Sequence, residues 1–491
     1  MFEEYVTFSN VLPISLGVIS VIFLLLSTRR GRNLPPGPRG LPLLGSIREF
    51  KSAERSDDFA RLRKQYGDVY SLRLGFTDFF VINGTKALSD LIVKQADAMS
   101  DRPSFMFTLS KGLGIAGASG DRWREQRSFA LKTFRSFGVG KRCLEKQVME
   151  EVTTLMTEME HFKGSPFDIS HLISISVSNI ICSIVFGRRY DHDDNRFQYL
   201  MTVIQTYNLK RNLILENASK WLRYLPGDFT GVKKSIERQK EIRIFLAEQI
   251  REHRESFDKE VIRDYIDAFL LEQESQSSSN SYYSDDQLLE TILNFFNAGT
   301  ETTSTTIRWT IYYLITHPEV QAKMYEEIKL GLGASSCVSM TFRQNLPYCE
   351  AVITESLRLA NIAPQSIPHG TCHDVTWNGY VIPKGSTVIL NLSSVCMDPD
   401  LFPEPHIFKP ERFLDKDGHF IGQKNFFPFS LGRRICLGES LANMELFLFI
   451  VTMVQWFQLL PEKEGVPPQV HVITGITRNP SDFMFRAIKR P

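Results

Sequence analysis

The sequence predicts a mainly α-helical protein with small β-sheets, preceded by one membrane-spanning helix at the N-terminus. The 491-residue chain is 43% hydrophobic and 23% charged, which is typical of a large globular protein with a sizeable core. Apolar residues recur at helical spacing through most of the middle of the chain, whereas alternating runs typical of strands are short and few. An uncharged run at the N-terminus is the third observation behind this prediction.

Residues 5–28 contain no charged side chain, and a helix of this length can cross a hydrocarbon layer of ~30 Å. Glu3 and Glu4 precede this run, and arginines follow it at positions 29, 30 and 32. Positive charge after the segment favours a cytosolic location for the rest of the chain. A cleaved signal peptide is the alternative, but a short apolar core and a small-residue cleavage site are not evident. We therefore predict a membrane anchor over residues 1–30.

The elements that follow are predicted from local signals. Residues 31–45 are proline-rich and predict a stiff, extended linker. Alternating residues at 68–74 and 78–82 predict a hairpin, and more strand signal lies at 387–392 and after residue 470. The apolar period over 285–316 predicts a long helix, which the Ser-rich surface loop 272–281 precedes.

A cysteine near the C-terminus carries the strongest functional signal. The segment reads Phe429-Ser-Leu-Gly432-Arg-Arg434-Ile-Cys436-Leu-Gly438. A cysteine ligates haem iron as the thiolate, which needs cationic groups and backbone N–H donors nearby. The glycines allow a tight turn against a flat cofactor, Arg434 suits a haem propionate, and Phe429 would cover the sulfur. The alternative, an ordinary buried cysteine, does not explain this combination of residues.

A buried helix is predicted over residues 439–450, directly after this loop, and its N-terminal dipole would help to stabilise a thiolate at Cys436. The loop resembles the cytochrome P450 family of haem-thiolate monooxygenases at every defining position. The resemblance covers essentially the whole chain and is closest to the microsomal, drug- and lipid-oxidising branch of animals. It implies the cytochrome P450 fold, haem b, and a catalytic domain over residues 46–491.

A second motif, Ala298-Gly299-Thr300-Glu301-Thr302-Thr303, lies within the long predicted helix. The small Ala-Gly pair would open room for oxygen against one face, and the Thr302 hydroxyl would bond to a carbonyl one turn earlier. The resemblance implies that Glu301 and Thr302 are the acid and alcohol that help to deliver protons to oxygen. A Thr-rich surface patch is the alternative interpretation.

A third motif places Glu355 and Arg358 at helical spacing i and i+3, where the two side chains can pair. Taken alone, such a pair is usually solvated. Together with Arg412 downstream, it resembles the buried Glu–Arg–Arg network of the family, which implies a structural support for the haem loop.

The haem propionates need basic and hydrogen-bonding partners if the ring is buried. Trp123 and Arg127 lie at i and i+4, so a helix would present both to one ligand. His369 could equally be an ordinary loop histidine. The candidates that the resemblance implies are Arg102, Trp123, Arg127, His369 and Arg434.

Substrate choice would depend on apolar residues over the haem, because oxidation of C–H bonds needs a dry pocket. Asn297 departs from the family pattern and would orient a substrate hydroxyl or carbonyl, unless it bonds within its own helix. Residues 207–227 would form a mobile roof that dips into the membrane. The candidate substrate contacts are Ile115, Asn297, Ala298, Ile362, Ala363, Ile367 and Ile476.

The charge and the cysteine count bound the partners. A net charge of +1 gives no reason to expect nucleic acid, and seven cysteines without framework spacing fit a reduced, cytosolic domain. The basic run 122–142, with Arg433 and Lys424, is either a solvated helix face or a docking surface for an acidic electron donor. The resemblance implies NADPH–cytochrome P450 reductase, with cytochrome b5 as an optional second donor, at the endoplasmic reticulum membrane.

Three functions therefore compete. The first is a monooxygenase that uses electrons from NADPH, through a reductase, to insert one oxygen atom from O2 into lipophilic xenobiotics, fatty acids or steroids. The second is a haem-thiolate isomerase or dehydratase that needs no reductase, against which the Glu301-Thr302 pair and the basic run argue. The third is a non-catalytic haem-binding membrane protein, which no sequence feature favours.

Overall fold

The computed structural model describes residues 33–42, 44–52, 54–75, 77–103, 110–139, 142–209, 232–276, 282–333 and 337–491, together with Ser15 and Gly17. The predicted anchor, apart from those two residues, and most of the predicted roof lie outside the described residues, as does the end of the Ser-rich loop. Within the described ranges, no helix combines the length and the apolar character needed to cross a bilayer.

The described part is mainly helical with small sheets, as the sequence predicts. The helices are α1 (Arg55–Tyr66), α2 (Gly84–Leu88), α3 (Ala96–Met99), α4 (Gly120–Ser136), α5 (Arg142–His161), α6 (Ser170–Val185), α7 (Asn195–Leu209), α8 (Val232–Glu255), α9 (Tyr265–Ser275), α10 (Asp285–Thr316), α11 (Pro318–Leu332), α12 (Pro347–Ala360), α13 (Ser393–Cys396) and α14 (Glu439–Trp456). The strands are β1 (Val69–Leu74), β2 (Thr77–Ile82), β3 (His369–Gly370), β4 (Val375–Trp377), β5 (Tyr380–Ile382), β6 (Thr387–Leu390), β7 (Phe457–Pro461), β8 (Val472–Thr474), β9 (Arg478–Pro480) and β10 (Phe485–Lys489).

The largest sheet of the described residues has the strand order β1-β2-β6-β3. Strands β1 and β2 form the predicted hairpin, with Val69 opposite Ile82. Strand β6 joins β2 in parallel and places Thr387 beside Phe79. Successive apolar side chains along these strands are almost completely buried and belong in turn to two small hydrophobic clusters. The two faces of the sheet therefore pack against different clusters.

Helix α10 runs through the main core and packs against α6, α8 and α14. It begins where the Ser284 hydroxyl accepts a hydrogen bond from the Gln287 N–H at 3.2 Å, and it ends at Thr316, two residues before Pro318 begins α11. The predicted bounds of this helix are confirmed. The predicted helix after the cysteine loop is also confirmed, and as α14 it extends to Trp456.

Candidate haem site

The cysteine loop is a tight turn that leads into α14. The Cys436 N–H donates to the Phe429 carbonyl at 3.0 Å, directly after the 3-10 turn Gly432–Arg434. Gly432 has a φ of +73°, and a Cβ there would lie 2.6 Å from the Ile92 carbonyl oxygen. Glycine is therefore required at this position both by backbone conformation and by close approach.

Although Cys436 is accessible to solvent, protein atoms crowd its sulfur, and this desolvation raises the pKa of the thiol. The Gly438 N–H and the charge of Arg127 act in the opposite direction, while Glu439 adds to the rise. Burial of the sulfur thus opposes the thiolate, and the Gly438 N–H and Arg127 offset this effect only in part. A metal ion on the sulfur would supply the missing positive charge.

Arg434 is buried beside the loop and stacks over the Trp123 ring, with its guanidinium carbon 3.9 Å from the ring centroid. The guanidinium donates to the carbonyls of Ser100 at 2.7 Å and Ala118 at 2.6 Å. Burial, followed by repulsion from Arg102, lowers the pKa of Arg434 to about 8. The charge of Asp101 opposes this shift only in part, so the Arg434 cation is incompletely neutralised by its surroundings.

Arg102 and Arg127 complete a group of three guanidiniums. Arg102 donates to the carbonyls of Ile367 and Pro368, both at 2.8 Å, and Arg127 donates to that of Ile435 at 2.6 Å. Burial, followed by the charge of Arg127, lowers the pKa of Arg102 to about 9. The three side chains repel one another, as expected of groups that would share an anionic ligand.

His369 lies in the same region. Its Nδ1 donates to the Met99 carbonyl at 2.7 Å, which leaves Nε2 as an acceptor in the neutral ring. Burial, followed by the charge of Arg102, holds the pKa of His369 well below its usual range. The neutral ring cannot donate to a propionate through Nε2, so this role would require an anion close enough to favour protonation.

These residues fit a haem with two propionates. Trp123 Nε1 is buried and, among the described residues, has no hydrogen-bond partner, although an indole N–H at such a position normally finds an acceptor. Each acceptor named above for the three guanidiniums is an uncharged backbone carbonyl. A Cβ at Gly438, two residues after the cysteine, would meet no protein atom within 4 Å, so the fold leaves room there for a flat ligand.

The face of α10 that would lie towards the haem is accessible at two residues. Ala298 is exposed and Thr302 is half-buried. The Thr302 hydroxyl donates to the Ala298 carbonyl at 2.8 Å, as predicted. Gly299 does not contribute to this opening, because a Cβ there would lie 2.5 Å from Ile181 Cδ1. The predicted oxygen groove therefore involves Ala298, whereas Gly299 allows close packing of α10 on α6.

Glu301 is buried and points to the β8–β9 hairpin. Its Oε1 accepts hydrogen bonds from Thr477 Oγ1 at 2.9 Å and from Asn479 Nδ2 at 3.1 Å. The sequence analysis missed both partners. They lie in the C-terminal strand region, and no local signal in the sequence connects them to the acid.

The segment before α4 is tied to α10. Asn294 Oδ1 accepts from the N–H groups of Ile115 at 3.0 Å and Ala116 at 2.8 Å. Gly114 has a φ of +74°, and a Cβ there would lie 2.6 Å from the same oxygen. Asn294, which the sequence analysis also missed, therefore fixes Ile115 beside the helix that carries Ala298.

The other candidate substrate contacts lie on two nearby loops. The Ile362 carbonyl accepts from the Arg478 N–H at 2.8 Å, which joins the loop of Ile362 and Ala363 to the hairpin that carries Ile476. Ile367 is exposed. Asn297 Oδ1 is buried and has no hydrogen-bond partner among the described residues.

Glu355, Arg358 and Arg412 lie together. Arg358 is fully buried and pairs with Glu355 through two hydrogen bonds of 2.7 and 2.8 Å, while Arg412 Nε donates to the same carboxylate at 3.1 Å. Arg358 also donates to the carbonyls of Cys396 and Pro405, both at 2.8 Å. The three side chains thus connect α12 to the segment that leads towards the cysteine loop.

Acidic side chains neutralise part of the positive charge of the basic run and of Arg433. Arg433 pairs with Asp97 and Arg124 with Asp121. The end of the run at residues 140–141 lies outside the described residues.

The fold and the chemistry of these residues suit a haem-binding protein in which Cys436 would be the ligand. The family profile described as "Cytochrome P450" matches residues 35–487, and the chain belongs to the cytochrome P450 family. It is accordingly a monooxygenase that carries haem b.

Curated relatives are similar to this chain over most of their length. Cytochrome P450 2F3 of Capra hircus is 40% identical over 90% of this chain and 92% of its own. Cytochrome P450 2F5 of Gorilla gorilla gorilla is 38% identical over 93% of this chain and 94% of its own. Cytochrome P450 2B19 of Mus musculus is 35% identical over 98% of this chain and all of its own.

Proposed function

We propose that this monooxygenase inserts one oxygen atom from O2 into lipophilic organic substrates, namely xenobiotics, fatty acids or steroids. Its electrons come from NADPH through NADPH–cytochrome P450 reductase, with cytochrome b5 as an optional second donor. The observation that carries the proposal is the group of three mutually repelling guanidiniums, of which Arg127 acts on Cys436, together with Trp123 Nε1, which has no hydrogen-bond partner among the described residues. The haem supplies oxygen activation when it is bound.

The residues of this chain would hold the cofactor as follows. Cys436 would be the iron ligand, and Phe429 would cover its sulfur. Arg434, Arg102 and Arg127 would neutralise the propionates, and Trp123 would donate its indole N–H to one of them. His369 would become a donor once a propionate lies near its ring. The network of Glu355, Arg358 and Arg412 holds the segments that support the loop.

On the opposite side, Thr302 and Glu301 would move protons towards oxygen. The Thr302 hydroxyl lies at the exposed stretch of α10 and can both accept and donate a proton at Oγ1. Glu301 is the preceding residue, and its carboxylate accepts a hydrogen bond from Thr477 of the β8–β9 hairpin. This pair favours the monooxygenase over the isomerase or dehydratase, which would not need proton delivery.

The substrate would lie against the apolar side chains of Ile115, Ala298, Ile362, Ala363, Ile367 and Ile476. Asn297 would add one polar contact, because its side-chain oxygen has no partner among the described residues. We expect Asn297→Phe to change which carbon is oxidised more than it changes haem content. Product identification by mass spectrometry would reject this role if the product profile were unchanged.

Residues 1–30 would anchor the protein in the endoplasmic reticulum membrane, residues 31–45 would link the anchor to the domain, and residues 46–491 would form the haem domain in the cytosol. Their support is the uncharged run, the arginines that follow it and the proline-rich composition. The basic surface that includes Arg122 and Lys424 would attract an acidic electron donor.

The haem assignment is tested by spectroscopy of the purified protein. Reduced protein treated with carbon monoxide should show the strongly red-shifted Soret absorption of a thiolate ligand. Cys436→Ser should abolish this absorption, whereas Cys337→Ser, at an exposed cysteine, should retain it. An unaltered spectrum in Cys436→Ser would refute the ligand assignment.

Turnover tests the reaction. Reconstitution with NADPH and the reductase, against a panel of lipids and xenobiotics, should give oxygenated products that require both components. Rearrangement of a peroxide without the reductase would favour the isomerase or dehydratase. Haem binding with no turnover on either panel would favour the non-catalytic alternative.

A further inference from the structure

The β8–β9 hairpin brings two polar side chains to one oxygen of Glu301. Thr477 Oγ1 and Asn479 Nδ2 donate to Oε1 at 2.9 and 3.1 Å, and Asn479 Nδ2 also donates to Thr477 Oγ1 at 2.9 Å. The exposed fractions of Glu301, Thr477 and Asn479 are 6%, 4% and 2%. Bulk water therefore takes little part in holding this carboxylate.

A second hydrogen bond, at its side-chain oxygen, fixes the orientation of the Asn479 amide. Its Oδ1 accepts from the Thr305 hydroxyl at 2.6 Å, on the same helix one turn after Glu301. The Nδ2 group must then point at Glu301, because the acceptor side of the amide is already used. Two donors aimed at one carboxylate oxygen stabilise its charged form and restrict its rotation.

The hairpin is itself held on two sides. The Trp309 Nε1 donates to the Arg478 carbonyl at 2.9 Å, and the Arg478 guanidinium donates to the Ala360 carbonyl at 2.9 Å. The Arg478 backbone N–H donates to the Ile362 carbonyl at 2.8 Å. The turn between the two strands contains Ile476, next to Thr477. One firmly held hairpin therefore carries both the groups that bind the acid and a proposed substrate contact.

We propose that Thr477 and Asn479 are positioning residues that set the orientation and the proton affinity of Glu301. This inference rests on the proposed function. Each turnover consumes O2, two electrons from NADPH and two protons; one oxygen atom enters the substrate and the other leaves as water. Glu301 takes up each of these protons and passes it on, so the carboxylate is regenerated.

The first test compares Thr477→Val and Asn479→Leu with Thr474→Val. The control makes the same chemical change on β8 of the same hairpin, three residues before Thr477. We expect product formed per NADPH consumed to fall about tenfold in the first two variants, which is the scale of one lost hydrogen bond to a charged group. Hydrogen peroxide should rise correspondingly, and the reduced carbon monoxide spectrum should be unchanged.

An added organic hydroperoxide separates positioning from damage to the fold. It supplies an oxygen atom to the substrate and leaves as the alcohol, so it needs neither electrons from NADPH nor the proton relay. Turnover with the hydroperoxide should be equal in the wild type and in both variants. An equal loss of hydroperoxide-driven and NADPH-driven turnover would mean that Thr477 and Asn479 serve only the fold, which overturns the inference.

A second readout does not depend on turnover. Infrared difference spectra of the resting protein, recorded as a function of pH, should contain a carboxyl band that Glu301→Gln removes. Loss of one donor should raise the proton affinity about tenfold, which moves the midpoint of this band about one pH unit upward. An unmoved midpoint in Thr477→Val and Asn479→Leu would overturn the inference. If the wild type itself proved inactive, the proposed function would fail, but this measurement would still decide whether the two residues position Glu301.

Discussion

Glu445 lies on α14 with 1% of its surface exposed, and we expect Glu445→Gln to change how the stability of the protein depends on pH. Burial raises the pKa of this carboxyl from 4.5 to about 8, and a hydrogen bond with Thr303 opposes the rise only in part. Its Oε1 has no partner among the described residues. The folded protein therefore keeps this proton at pH values where the unfolded chain has released it.

The sign follows from the direction of the shift. Because the folded pKa lies above the unfolded one, the free energy of unfolding falls as the pH rises from about 4.5 to about 8, by up to ~1.4 kcal/mol per pH unit. The whole interval corresponds to on the order of 5 kcal/mol. Glutamine has the same shape and still accepts a hydrogen bond from Thr303, but it does not titrate. The variant should therefore be more stable than the wild type near pH 8, and the two should converge near pH 5.

The assay is urea unfolding of the haem-loaded protein between about pH 5 and 8, followed by far-ultraviolet circular dichroism. Glu464→Gln, at an exposed position in the turn after β7, is the control and should follow the wild type. If Glu445→Gln and the wild type lose stability in parallel as the pH rises, Glu445 is not protonated in the folded protein and the reasoning is refuted.

Three further changes test other parts of the structure. Arg358→Ala should cost about 3–5 kcal/mol and lower the haem content per protein, because its glutamate partner stays buried and unpaired; an unchanged melting temperature would contradict this. Burial lowers the pKa of His253, but the contact with Asp264 at 2.8 Å, the hydrogen bond to the Gln249 carbonyl and the charge of Asp267 together raise it above its usual value, so this ring stabilises the fold below about pH 6.5 and the gain is lost as the pH rises through the higher folded value. His253→Gln should accordingly flatten the loss of urea stability above that pH, and an unchanged slope would count against the pair. Gly299→Ala should cost about 1–3 kcal/mol, and Ile181→Val should recover part of this cost, as measured by thermal unfolding; a fully stable single variant would show that the two helices are not in close contact there.

Local signals in the sequence were sufficient for much of the fold. The Ser284 cap and Pro318 mark the two ends of α10, because a cap and a proline act on the backbone within a few residues. The spacing of Glu355 and Arg358 also suffices for a pair, since a helix places i and i+3 on one side. Signals of this kind need no knowledge of the tertiary structure.

Contacts between distant segments could not be predicted in the same way. Thr477 and Asn479 lie 176 and 178 residues from Glu301, and a polar residue in a short strand gives no indication of its partner. Gly299 was predicted to open a groove, yet the same small residue is also what close packing on Ile181 needs. A small residue on a helix is compatible either with close packing of a neighbouring helix or with an open groove. The position of the neighbouring helix decides between the two.

The short segment before α4 has a consequence for the maturation of the protein. Asn294 holds the N–H groups of Ile115 and Ala116, while Arg434 donates to the carbonyls of Ile115 and Ala118. A porphyrin whose carboxylates attract the guanidinium competes with these carbonyls for the same donors. Because Asn294 and Arg434 hold the same short segment, a shift of the Arg434 guanidinium towards a porphyrin carboxylate would release the backbone carbonyl of Ile115, a proposed substrate contact.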